Sequence, residues 1–92
     1  MALIACNKEA PAPLAHADFY AENNGCTAPC QLKFYGQSTN AVKWRWSFGN
    51  GKISSFEDDS TLYSSAGNYE VWLRVWNSDD IADSVRKSVV IN

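Results

Sequence analysis

The stretch Val42-Lys43-Trp44-Arg45-Trp46-Ser47-Phe48-Gly49-Asn50-Gly51 alternates apolar with polar residues and then closes on two glycines around an asparagine. Successive side chains of a strand point to opposite faces, so Val42, Trp44, Trp46 and Phe48 fall on one face and Lys43, Arg45 and Ser47 on the other. That period belongs to a half-buried strand and not to a helix. Gly49-Asn50-Gly51 supplies residues that tolerate positive φ, so the spacing predicts a hairpin that returns the chain through Ile53 to Phe56.

A second clear alternation runs from Asn68 to Asn77. Tyr69, Val71, Leu73 and Val75 share the face expected to pack inward, and Glu70, Trp72, Arg74 and Trp76 share the opposite one. Shorter strands are predicted at Ala17 to Glu22, at Cys30 to Tyr35 with Leu32 and Phe34 inward, at Thr61 to Tyr63, and at Ser84 to Ile91 with Val85, Val89 and Ile91 inward. Gly, Asn, Asp and Ser clusters break these segments at intervals of about ten residues, the spacing of sandwiches and barrels. No segment offers three capped helical turns, so the chain is expected to be all-β with about seven strands.

At 92 residues the sequence has room for one core. With 46% hydrophobic and 13% aromatic residues it lies far from the profile of disordered chains. Ten acidic and eight basic residues give a net charge of −2, and the basic residues are scattered along the chain, so no nucleic-acid footprint is expected. The apolar runs are too short for a membrane-spanning helix. Residues 7–16 carry two prolines and no strand or helix periodicity, so residues 1–16 are expected to be a short leading segment and a flexible tether, with the domain occupying residues 17–92.

Three cysteines need accounting for. Cys26 and Cys30 flank a turn-like Thr27-Ala28-Pro29, where a disulfide is sterically acceptable and is expected, the alternative being a pair of reduced thiols. Zinc is not expected, because no second Cys or His pair completes four ligands. The third, Cys6, ends Leu3-Ile4-Ala5-Cys6, which resembles the lipobox of bacterial lipoprotein signal peptides. That resemblance implies lipidation at Cys6 and a membrane association through this anchor alone. Only five residues precede Cys6, fewer than an export signal needs.

Trp44-Arg45-Trp46-Ser47-Phe48-Gly49-Asn50-Gly51 resembles the Trp-Asp-Phe-Gly-Asp-Gly hairpin of the PKD (polycystic kidney disease) domain family. In the same order, Ala28-Pro29-Cys30-Gln31-Leu32-Lys33-Phe34 and Ala66-Gly67-Asn68-Tyr69-Glu70-Val71-Trp72-Leu73-Arg74-Val75 are similar to two other strands of that family. The resemblance implies an immunoglobulin-like Greek-key β-sandwich whose core holds Trp46, Phe48, Tyr69, Val71, Leu73 and Val75. Trp46 would fill the gap between sheets, and Tyr69 would make a tyrosine-corner hydrogen bond. Ser47 and Asn50 stand where the family commonly carries Asp, so no metal is expected, and no cofactor.

Little in the sequence offers chemistry. His16, the one histidine, has no predicted carboxylate partner, and the adjacent acids Asp58-Asp59 and Asp79-Asp80 are expected on loops without an apolar pocket. An enzyme is therefore not expected. The anomaly is the outer strand face: Trp72 and Trp76 point to solvent about 13 Å apart, four residues at roughly 3.3 Å each, with Arg74 between them. Lys43 and Arg45 of the neighbouring strand should lie beside them. These five residues form the candidate binding face for a polysaccharide or protein. The alternative is that Arg45 or Arg74 simply stacks over an indole and nothing binds, leaving a structural spacer. The resemblance implies an extracellular or cell-surface module, monomeric and attached to neighbouring domains.

Overall fold

The computed structural model describes residues 11–92, so Cys6 and its expected lipidation lie outside the described residues. Seven strands follow one another: β1 (Phe19–Glu22), β2 (Cys30–Gly36), β3 (Lys43–Ser47), β4 (Ile53–Ser54), β5 (Asp58–Tyr63), β6 (Gly67–Trp76) and β7 (Ala82–Ile91). They form a three-stranded sheet in the order β1-β2-β5 and a four-stranded sheet in the order β4-β3-β6-β7, with every pairing antiparallel. The chain changes sheet between β2 and β3, between β4 and β5, and between β5 and β6. Strand β5 thus returns beside β2, as in the expected immunoglobulin-like Greek key.

The inner faces enclose Phe19, Leu32, Phe34, Trp46, Phe48, Tyr63, Val71, Leu73, Val75, Val89 and Ile91. Trp46 lies at the centre, its ring 5.1 Å from Phe19, 5.6 Å from Phe34 and 5.4 Å from Phe48. A buried indole N–H must find an acceptor. That of Trp46 donates to the carbonyl of Phe56 at 2.8 Å, which ties the end of the β3–β4 hairpin to the core. The Tyr63 hydroxyl donates to the Phe48 carbonyl at 2.7 Å. Tyr69 is half-buried rather than a core residue. Its ring packs 4.5 Å from that of Tyr63, and its hydroxyl donates to the Ser65 carbonyl at 2.7 Å, the tyrosine-corner bond.

The hairpin after β3 has specific needs. Gly49 has φ +83°, and a Cβ there would sit 2.7 Å from the Glu70 carbonyl oxygen, so backbone conformation and close approach both call for glycine. Asn50 donates from Nδ2 to Thr61 Oγ1 at 2.8 Å and to the Leu62 carbonyl at 3.0 Å, while its Oδ1 accepts from the Lys52 amide at 3.1 Å. An aspartate could only accept, so the asparagine links the hairpin to β5 in a way the family's usual Asp cannot.

Several expectations need correcting. Val42 is 53% exposed and Trp44 only half-buried, because they lie at the end of β3 that β4, paired only with Trp46 and Ser47, leaves uncovered. Asp58 and Asp59 open β5 instead of lying in a loop, since Tyr35 and Phe34 of β2 pair with them. Ahead of Ala17, residues 12–16 already bond to the sandwich: the Ala12 amide donates to Asp79, Asn77 donates to the Pro13 carbonyl, Asn40 donates to the Leu14 carbonyl, and His16 bridges Thr39. The disulfide expected between Cys26 and Cys30 is present.

Burial, with the Tyr69 hydroxyl nearby, pushes the Tyr63 phenol well above its ordinary value of 10.0. The folded chain keeps this proton where the unfolded chain loses it, so the contribution is complete below pH ~10 and is lost as pH rises further. Urea unfolding of wild type should therefore show a stability that falls above pH ~10. Tyr63→Phe should flatten that slope and lower neutral-pH stability by about 1–3 kcal/mol through the orphaned Phe48 carbonyl. Reducing Cys26–Cys30 should cost ~2 kcal/mol, as expected for so short a loop, and mass spectrometry without reductant should find no free thiol at either position.

Candidate functional site

Complete burial of Val71, Leu73 and Val75 leaves Trp72, Arg74 and Trp76 on the outer face of β6. The register of the neighbours then fixes what surrounds them. On the β3 side Lys43 faces Trp76, Arg45 faces Arg74 and Ser47 faces Trp72. On the β7 side Arg86 faces Trp72, Ser84 faces Arg74 and Ser88 faces Glu70. The five residues singled out from the sequence are therefore neighbours on one sheet face. Arg86 joins them and was not foreseen. Its outward position followed from placing Val85 and Val89 inward, but its pairing with Trp72 depends on the β6–β7 register.

The basic residues that look scattered along the sequence are gathered here: all three arginines of the chain and Lys43 share this face. The indoles hold three of these four. The Arg86 guanidinium lies 5.0 Å from the centroid of a Trp72 ring that is still 45% exposed. Half-buried Trp76 carries Arg74 at 5.8 Å and Lys43 at 5.7 Å. Arg86 is also bonded to Glu70 at 3.1 Å, whose other oxygen accepts the Ser88 hydroxyl at 2.6 Å, and Lys43 is paired with Asp80 at 2.8 Å. Arg45 and Arg74, directly opposite one another, have no carboxylate partner among the described residues. A shallow depression of about 240 Å³ opens between Arg45, Ser47, Trp72, Arg74 and Ser84.

A larger hollow of about 350 Å³ lies at the β3–β4 edge, lined by Val42, Trp44, Ile53 and Trp76 among others. Strand β4 is only two residues long, so it covers Trp46 and Ser47 and stops short of Trp44. The Trp44 indole nitrogen is buried without a hydrogen-bond partner among the described residues.

The remaining polar groups are engaged in holding the fold. His16 does have a carboxylate neighbour, with Nδ1 3.9 Å from Asp83, because β7 begins beside it. The same Asp83 oxygen accepts the Ala17 amide at 2.8 Å, and no hydroxyl or thiol bonds to His16 among the described residues. Lys87 bonds Asp18 at 2.8 Å and holds its carboxyl below the usual carboxylate value, helped by the Phe19 amide. The Ser54 hydroxyl, with the Ser60 amide, does the same for Asp59. Among the described residues no group of three or more His, Cys, Asp or Glu could hold a metal ion. The outer face can thus bind by stacking and by charge.

Comparison with known proteins places this geometry in a family. No curated protein matches the sequence. The chain is similar in structure to the PKD1 domain of Vibrio anguillarum Epp, with TM-score 0.76, 23% identity, and coverage of 89% of this chain and 98% of that one. It is also similar to the PKD1 domain of the Vibrio cholerae metalloprotease PrtV, with TM-score 0.73, 25% identity, and coverage of 83% and 94%. A structure of carbohydrate-binding modules of the β-sandwich superfamily superposes with TM-score 0.80 at 17% identity, covering 90% of this chain and 36% of that one, a likeness of fold. The family model for the PKD domain matches residues 9–92, and with the hairpin, the tyrosine corner and the two-sheet topology described above, the chain belongs to the PKD domain family.

Proposed function

We propose that this chain is a non-catalytic, extracellular module that binds a polysaccharide or protein through the outer face of its four-stranded sheet, and so positions the domains or surface to which it is joined. The observation that carries this reading is Trp72. It is a large aromatic ring left 45% exposed in the middle of a sheet face, with Arg86, Arg74 and Arg45 around it. The likeness in fold to carbohydrate-binding modules and to a domain of a metalloprotease supports a place beside, and not within, catalytic machinery.

A second reading has an observation of its own. Both outward indoles already carry cations, Arg86 on Trp72 and Arg74 with Lys43 on Trp76, and such pairs cover apolar surface without any ligand. On that reading the module is a rigid spacer. Anchoring through Cys6 at a cell surface is compatible with both.

Insoluble-polymer pull-down and tryptophan fluorescence titration separate the two. A binding face predicts retention of wild type on at least one polymer, and a loss of about tenfold or more in Trp72→Ala and Trp76→Ala at unchanged fold. A spacer predicts no retention of any protein and no ligand-dependent change in emission.

A further inference from the structure

Arg45 and Arg74 stand directly opposite one another on adjacent strands. Like charges so placed destabilise a sheet, by up to about 1 kcal/mol. The other two cations of the face have local acids, Asp80 for Lys43 and Glu70 for Arg86, whereas this pair has none among the described residues. The chain as a whole carries ten acidic residues and a net charge of −2, yet among the described residues Glu70 is the only acid that points out of the centre of this face. Such segregation of charge concentrates an anionic partner at one place on an otherwise acidic protein.

We propose that the ligand of this face is an anionic polysaccharide, bearing carboxylate or sulfate groups, whose charges are taken by Arg45 and Arg74 while the exposed part of the Trp72 ring supports a sugar ring. The proposal rests on the binding reading given above. A guanidinium lying flat on an indole keeps its in-plane N–H donors free, and those donors match carboxylate and sulfate oxygens in pairs. The Arg74 guanidinium carbon lies 5.8 Å from the Trp76 ring centroid, a contact that restrains the side chain before an anion arrives. The cations on both indoles leave only the exposed part of the Trp72 ring to a sugar of any kind, so the selection is made by charge at Arg45 and Arg74.

Charge and geometry also favour a glycan over an acidic peptide. Strand β6 has a neighbour on each side at the Arg45–Arg74 level, and β3, paired by β4 at Trp46 and Ser47, has an open edge only at Lys43–Arg45. Peptides that bind sheets commonly do so by adding a strand to an open edge, and this face offers only side chains. The cations run diagonally from Lys43 on β3, through Arg45 and Arg74, to Arg86 on β7. That diagonal spans ~16 Å, four residues along the strands and two strand spacings across, and crosses the Trp72–Trp76 row. The track suits an extended chain of rings with charges at intervals.

Affinity electrophoresis through gels containing polygalacturonate, dextran sulfate, neutral dextran or poly-L-glutamate tests the proposal on the full chain. The expected result is retardation by polygalacturonate, by dextran sulfate or by both, which distinguishes carboxylate from sulfate, with none by neutral dextran. That retardation should weaken with added salt. Arg45→Gln and Arg74→Gln should each weaken it by at least about tenfold. Their thermal unfolding should match wild type or rise slightly as the like charges are relieved, which separates a lost contact from a lost fold. Equal retardation by neutral and charged polymers, lost in Trp72→Ala but kept in the arginine variants, would overturn the anionic ligand while leaving a binding face. Retardation by poly-L-glutamate as strong as by the glycans would overturn the choice of polysaccharide. If no polymer binds, this proposal falls, and of the binding reading only a protein partner is left.

Discussion

The indole of Trp46 sits where the two sheets meet, and its burial sets the parity of every neighbouring residue. Strand side chains alternate strictly, so a slip of one residue would carry Trp46 into water and turn Arg45 and Ser47 into the core. Nothing in the core could solvate a guanidinium. Rings of Phe19 from β1, Phe34 from β2 and Phe48 at the hairpin converge on the indole, and each well-placed aromatic contact adds about 0.5–1.5 kcal/mol beyond area burial. Its N–H bond to Phe56 then determines where the returning strand can lie. One side chain thus couples three strands and a turn.

The parity fixed at Trp46 passes across the ladder to β6. Because Trp46 pairs with Leu73, the inward row of Val71, Leu73 and Val75 is locked, and the row of Trp72, Arg74 and Trp76 has to face out. Packing and surface chemistry are therefore two sides of one strand. The outer row is poorly chosen for stability alone, since it places two guanidiniums opposite each other and leaves a ring in solvent. The cations on the indoles offset part of this, but the Arg45–Arg74 pair has no carboxylate partner among the described residues, and departures of this kind are where function is expected to reside.

Much of this was readable from residue order because the controlling periodicities are local. The stretches Trp44 to Phe48 and Tyr69 to Val75 announce their faces within a few residues, and Gly49 and Tyr69 carry their constraints at fixed offsets. What stayed hidden depends on register between distant segments. Arg86 meets Trp72, Asp83 meets His16, and Asp79 meets the Ala12 amide only after β7 and the β6–β7 turn are in place. The gathering of all three arginines on one face has the same origin. Val42 and Trp44 departed from the expected burial for a different reason: alternation gives the direction of a side chain but not where the opposing layer ends.

Hydrogen exchange of the four indole N–H groups, followed by NMR at neutral pH, tests the parity most directly. The account predicts that the Trp46 Nε1 proton, buried and bonded to the Phe56 carbonyl, exchanges only through global unfolding, while that of Trp72 exchanges far faster through local solvent contact. Fast exchange at Trp46 together with global protection at Trp72 would mean that the pleat is reversed, and would contradict both the architecture and the surface built on it.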